Sequence, residues 1–297
     1  MHESIAELIA EGPVLTDGAW GTQMQARGLA VGACPDEWNL SNPQAVEEVA
    51  KAYVDAGSRV IITNTFGATS FCLARHGLAD KVVQINRAGA EISKRAAGDR
   101  AKVFASMGPS GVMLMMGDVT PDQLRDAFAV QAQALAEGGA DALVIETMSD
   151  PAEARIAVEA ARTTGLPVVA CMVFDSGKDH DRTMMGTTPE EAARTLEEAG
   201  ADCIGSNCGK GIEGFLPICR RLREATDRPL WIKANAGLPK VVAGETVYTQ
   251  TPDGFASHVP GLLEAGASFV GGCCGTTPEF IRAVGTVLKG GSSHPVA

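Results

Sequence analysis

Apolar runs of strand length alternate with longer stretches of helical spacing along the whole chain. The runs predict strands at 14–16, 60–63, 103–106, 142–146, 168–173, 203–206, 230–233 and 268–271. After each run, apolar positions recur every three or four residues, the spacing that keeps one helix face against a core. Strand and helix thus alternate about eight times without a break, which predicts a single-domain (β/α)8 TIM barrel over residues 1–289 rather than an open doubly wound sheet. The tail at 290–297, rich in small residues, is expected to be disordered.

Two recurring devices punctuate this pattern. A capping residue followed by proline predicts helix starts at Asn42-Pro43, Thr120-Pro121, Asp150-Pro151, Thr188-Pro189, Thr251-Pro252 and Thr277-Pro278. The side-chain oxygen satisfies an orphan N–H, and proline at the first helical position loses nothing. A glycine-containing turn precedes every even-numbered strand, around Gly57, Gly139, Gly200 and Gly266, whereas the odd strands are entered differently, three of them through proline. In such a barrel the reactive residues lie at the C-terminal ends of the strands. Those ends carry Asp17, Asn64, Glu146, Asp175, Cys208, Asn235 and the pair Cys273-Cys274.

Composition narrows the partners. The chain has 297 residues, 45% of them hydrophobic, and a formal charge of −11. That balance argues against nucleic acid or an anionic membrane surface, which need clustered Lys and Arg. The N-terminal stretch is acidic and amphipathic, unlike a secretory signal, and no run is apolar for long enough to span a bilayer. Eight cysteines in a chain of this size read as reduced thiols, which places the protein in the cytoplasm.

Three of those cysteines stand apart. Cys273 and Cys274 sit between Gly272 and Gly275 at a strand end, and Cys208 ends the sixth strand on the same rim. Adjacent side chains of a regular strand point to opposite faces, so both thiols reach one ion only where the strand has ended and Gly271, Gly272 and Gly275 let the backbone bend. Three thiolates with an open fourth position match a catalytic zinc centre. The competing readings are small buried hydrophobes or a vicinal redox pair. Cys34, Cys72, Cys171, Cys203 and Cys219 lack the glycine context and read as structural. Asp17 and Glu146 face the same cleft and suit a substrate ammonium group, against the alternatives of helix capping or a salt bridge. The segment 209–214 fits G-x-G-x-x-G but follows the sixth strand, out of place for a dinucleotide fingerprint.

Five segments together carry a family resemblance. Asp17-Gly18-Ala19-Trp20-Gly21-Thr22, Thr63-Asn64-Thr65-Phe66-Gly67, Gly205-Ser206-Asn207-Cys208, Asn235-Ala236-Gly237-Leu238-Pro239 and Gly271-Gly272-Cys273-Cys274-Gly275-Thr276-Thr277-Pro278 resemble the homocysteine S-methyltransferase family. Cys34-Pro35-Asp36-Glu37-Trp38-Asn39-Leu40 and Gly244-Glu245-Thr246-Val247-Tyr248 are most similar to the homocysteine-binding barrel of cobalamin-dependent methionine synthase, without that enzyme's further modules.

The resemblance implies a zinc ion held by Cys208, Cys273 and Cys274, with the homocysteine thiol as fourth ligand and methionine as product. It implies that Asp17 and Glu146 grip the substrate ammonium while backbone near Gly18 and Thr63 serves the carboxylate. Asn235 matches relatives that fill the open metal position with a protein oxygen; a turn-forming asparagine before Gly237 is the alternative. A methylcorrinoid (cobalamin) protein acting in trans is the favoured donor, because relatives that use betaine carry an aromatic residue where this chain has Gly67. Betaine, S-methylmethionine or another small sulfonium or ammonium donor stays open, as does an accessory barrel that only presents a thiol.

Overall fold

The computed structural model describes residues 1–242 and 245–291. Eight parallel strands form a nearly closed barrel with helices between them, a (β/α)8 TIM fold. Seven come in sequence: β1 (Val14–Leu15), β2 (Val60–Ile61), β3 (Lys102–Met107), β4 (Ala142–Met148), β5 (Val168–Met172), β6 (Cys203–Gly211) and β7 (Leu230–Asn235). An antiparallel hairpin of β8 (Lys240–Val242) and β9 (Glu245–Val247) intervenes before the last barrel strand, β10 (Ala267–Gly272). Their spatial order is β1-β10-β7-β6-β5-β4-β3-β2. The seam between β1 and β2 is drawn together by the N–H of Arg59 donating to Leu15 O at 2.8 Å. Ser58 Oγ and the N–H of Ile62 add bonds to Thr16 O and Asp17 Oδ2.

The fully buried apolar runs made all eight strands predictable, because a strand covered on both faces reads as continuous hydrophobic sequence. The hairpin was not predicted, and β6 runs on to Gly211, past the expected end at 206. Thr120 and Thr188 form complete capping boxes, and Asp150 and Thr251 cap with their side chains. Asn42 does not: it precedes Pro43 with no side-chain cap bond. The glycines expected at the ends of helices preceding even strands all have positive φ, as at Gly200 with +96°, the conformation that costs a Cβ-bearing residue most.

Trp231, Phe104 and Phe269 pack against one another inside the barrel, with ring centroids 5.2–6.2 Å apart. Burying each of these rings contributes on the order of 2–3 kcal/mol. Two residues further along β3 and β7, Ser106 and Lys233 stand above this aromatic layer and face the barrel mouth. Of the tail expected at 290–297, residues 290 and 291 close the final helix, Pro278–Gly291, and the rest lies outside the described residues. Among the described residues no helix is long and apolar enough to cross a membrane.

Candidate active site

The C-terminal mouth of the barrel holds a cavity of about 520 Å3 whose wall includes Cys208, Cys273, Cys274, Glu146, Lys233 and Thr63. Two strands are irregular where they reach it. Register shifts between Ile145 and Met148 on β4 and between Cys208 and Gly211 on β6. At these bulges Thr147 and Cys208 adopt left-handed φ values of 61° and 65°. For residues with a Cβ that conformation costs on the order of 1 kcal/mol or more, and such strain collects at functional sites.

The sulfurs of Cys208, Cys273 and Cys274 all lie within 4.8 Å of one another. Cys273 and Cys274 follow β10 and are held by their backbone. The N–H of Cys273 donates to Ala234 O at 2.7 Å, and that of Cys274 to Asn235 Oδ1 at 3.0 Å. Gly275, with φ +80°, makes the bend expected of the glycines here. Gly271 and Gly272 serve a different purpose. A Cβ on Gly271 would stand 2.0 Å from Thr16 Oγ1, and one on Gly272 would stand 2.2 Å from Thr276 Oγ1. Those two positions are glycine because β10 and its neighbours approach closely, not because the chain bends there.

The donor set suits a metal. Cys208 is drawn down to about 3 by hydrogen bonds from Cys273 and Cys274. The same contacts, with Cys208 as the main partner, push Cys274 up to about 12 and Cys273 well above its usual value. One thiol of the three ionises readily, and all three can do so only with a cation among them. Three clustered thiolates are ligands for zinc.

Asn207 ties this cluster to β4. It is fully buried, its Oδ1 accepts the N–H of Thr147 at 2.7 Å, and its Nδ2 donates to Thr147 Oγ1 at 2.7 Å and Glu146 Oε2 at 3.3 Å. Its amide also lies 4.0 Å from Cys273 Sγ. Glu146 is 4% exposed and accepts a second bond from Ser106 Oγ. Burial pushes its carboxyl above the usual range, partly offset by the charge of Lys233 and the Ser106 bond.

Asp17 is placed differently from Glu146. Its Oδ1 accepts Lys233 Nζ at 2.5 Å, and its Oδ2 accepts Trp20 Nε1 and the N–H of Ile62, each at 2.8 Å. The protein's own donors thus occupy both oxygens, and Asp17 stands behind the cavity wall. Gly18 and Thr63 line the cavity. Gly18 packs where a Cβ would strike Thr276 and Tyr53, and Thr63 Oγ1 accepts the N–H of Ser106 at 3.0 Å. Asn235 does not line the cavity. Its amide donates to Gly209 O at 2.6 Å, so its side chain spans from β6 to the residue after Cys273.

Lys233 and Asn207 were not singled out in the sequence. A signal for Lys233 was present: a lone lysine in the apolar run Leu230-Trp231-Ile232-Lys233-Ala234, in phase with Trp231. Asp36 was likewise passed over. It is buried on the outer cavity wall beside Cys34, with the N–H of Gly67 donating to it at 3.0 Å. The G-x-G-x-x-G segment runs along β6 into the 3-10 turn Ile212–Gly214.

Residues 14–288 match the family described as homocysteine S-methyltransferase. Methionine synthases from Mycobacterium leprae and Mycobacterium tuberculosis are each 31% identical over 96% of this chain. The chain spans 25% of the length of those relatives. Among solved structures, the metallated form of the homocysteine methyltransferase MmuM from Escherichia coli is similar with a TM-score of 0.79 at 23% identity, covering 95% of this chain and 99% of that one. Its oxidized form gives 0.77 at 24% identity, covering 94% and 98%; both are likenesses of fold. On the family match and the methionine synthase relatives together, the chain belongs to the homocysteine S-methyltransferase family.

Proposed function

We propose that this protein transfers a methyl group to the thiol of homocysteine, giving methionine, with zinc held by Cys208, Cys273 and Cys274. The observation that carries the reading is the three sulfurs within 4.8 Å of one another on the wall of a cavity that also presents Glu146. Zinc bound there would supply Lewis acidity, bringing an acceptor thiol of ordinary pKa about 8.5 to its thiolate form at neutral pH. The protein's own residues do the rest. Glu146, ionised, pairs with the substrate ammonium. Ser106 and Asn207 fix its carboxylate, and Asn207 also sets the position of Cys273. Gly18 and Thr63 line the same cavity and frame the substrate. Trp20 and Phe66 on the outer wall limit water at the reacting sulfur.

For the donor, the methionine synthase relatives support a methylcorrinoid protein acting in trans. A small cationic donor such as S-methylmethionine or betaine is the second reading. It is favoured by the Trp20 and Phe66 rings and by the Asp36 carboxylate on the same wall, for which no ion pair is found among the described residues. Aromatic faces and an acid are what a sulfonium or quaternary ammonium seeks.

The test is zinc-loaded protein incubated with homocysteine and, separately, methylcobalamin, a methylated corrinoid protein, S-methylmethionine and betaine, with methionine measured by mass spectrometry. Methionine from any of them supports the methyltransferase reading, and the most active identifies the donor class. No methionine from the whole panel would reduce the chain to an accessory barrel that presents a thiol.

A further inference from the structure

Lys233 stands on β7 two residues beyond Trp231, so both side chains point into the barrel. Its side chain is 1% exposed, yet it lines the cavity. An ammonium group carries three N–H donors. Among the described residues Lys233 makes one hydrogen bond, to Asp17 Oδ1. Asp17 cannot turn toward a ligand without giving up Trp20 and Ile62, which hold its other oxygen. Across the cavity, Glu146 has its carboxylate held by Ser106 and Asn207. No ion pair joins Lys233 to Glu146 among the described residues, although each is felt electrostatically by the other.

A buried ammonium with unused donors and a buried carboxylate without a cation, facing one cavity across a gap, form a receptor for a zwitterion. The carboxylate of an amino acid meets the lysine, and its ammonium meets the glutamate. We infer that Lys233 reads the α-carboxylate of the acceptor thiol, so that the cavity selects an α-amino-acid thiol over an aminothiol that lacks the acid; this rests on the homocysteine reading above. Asp17 then works through Lys233 as a positioning residue and does not touch the acceptor.

The test is calorimetric titration of zinc-loaded protein with three thiols and no methyl donor. Homocysteine is compared with 3-aminopropane-1-thiol, which lacks the carboxylate, and 4-sulfanylbutanoate, which lacks the ammonium. The variants are Lys233→Met and the double variant Asp17→Asn/Lys233→Met, which leaves neither buried charge of the pair alone. Wild type should prefer homocysteine over the aminothiol by about tenfold or more, the effect of a charge-assisted bond. In the variants that preference should shrink to within about threefold, while the preference over 4-sulfanylbutanoate persists. If Lys233→Met does not fold, the double variant decides. Undiminished preference in a folded variant, or equal weakening of all three thiols, overturns the assignment of Lys233. Homocysteine that fails to bind even the wild type overturns the acceptor reading along with it.

Discussion

Asn235 Oδ1 accepts the backbone N–H of Cys274 at 3.0 Å while its amide donates to Gly209 O, immediately after Cys208. One side chain from β7 therefore fixes the strand end that carries Cys208 against the loop that carries Cys273 and Cys274. An oxygen engaged in this way serves as a metal ligand only after turning off Cys274. Partners that orient ligands without touching the ion commonly govern affinity by about 10–100-fold. Asn235→Ala should weaken zinc binding by that factor, measured by competition with a chromophoric chelator, while each of Cys208→Ala, Cys273→Ala and Cys274→Ala should abolish it. Wild-type zinc affinity in Asn235→Ala would show that the strut is idle.

Glu146→Gln should weaken homocysteine binding by about 10–100-fold, because an ion-paired bond to the substrate ammonium is lost. The effect should fall on KM more than kcat, since the pairing is alike in ground and transition states. The pH dependence has a defined sign. Burial raises the Glu146 carboxyl above its usual range, and only the ionised form pairs with an ammonium. Affinity should therefore fall as pH drops through that raised value, and the fall should vanish in Glu146→Gln. A collapse of kcat at unchanged KM would make Glu146 a group of the chemical step.

Asp36 offers a stability test. Burial raises it from 3.8 to about 6, the N–H of Gly67 offsetting part of the rise. Between those values the folded state keeps a proton that the unfolded chain has released, so this group makes stability decline as pH rises through the window. Above pH 6 the penalty is complete, at most about 3 kcal/mol. Asp36→Asn should thus be more stable than wild type at pH 8 by about 1–3 kcal/mol and equal to it below pH 4, read from urea midpoints. A variant less stable at pH 8 would mean that Asp36 is paired with a cation in the folded protein.

Gly205 and Gly261 make a contrasting pair. A Cβ on Gly205 would meet Trp231 O at 1.9 Å, a backbone atom on the neighbouring strand. Gly205→Ala should destabilise by about 3 kcal/mol or more, because the strands cannot separate locally without losing their ladder. In the helix Val259–Glu264, a Cβ on Gly261 meets only Leu216 methyl groups at 3.8 Å. Gly261→Ala should stabilise by about 0.4–1 kcal/mol. Denaturant titration of both variants checks the pair.

The barrel was legible because its strands are apolar on both faces and its helices begin with proline-marked caps; Thr120, Asp150, Thr188 and Thr251 cap with their side chains, and Asn42 does not. The hairpin β8–β9 was hidden because each of its strands is three residues long, too short to show a period. At the site, the cysteine cluster could be read from strand ends alone. Asn207 and Lys233 could not be assigned, because their roles come from partners distant in sequence: Lys233 is 216 residues from Asp17, and Asn207 is 61 from Glu146. The two glycines of β10 were assigned to the right site for the wrong reason, since sequence reveals that a side chain is missing but not which neighbour excludes it. The bulges that turn Thr147 and Cys208 into the mouth also break the strict alternation on which strand-face arguments rest.

The central claim is that a metal on Cys208, Cys273 and Cys274 takes up the acceptor as a thiolate. Proton release on homocysteine binding tests it most directly, obtained from calorimetry in buffers of different ionisation enthalpy at neutral pH. Zinc-loaded wild type should release about one proton per homocysteine bound, since the free thiol is almost wholly protonated there and the bound one is not. The metal-free protein and Cys274→Ala should release none. Binding of equal strength with no proton released, whether zinc is present or not, would contradict the account.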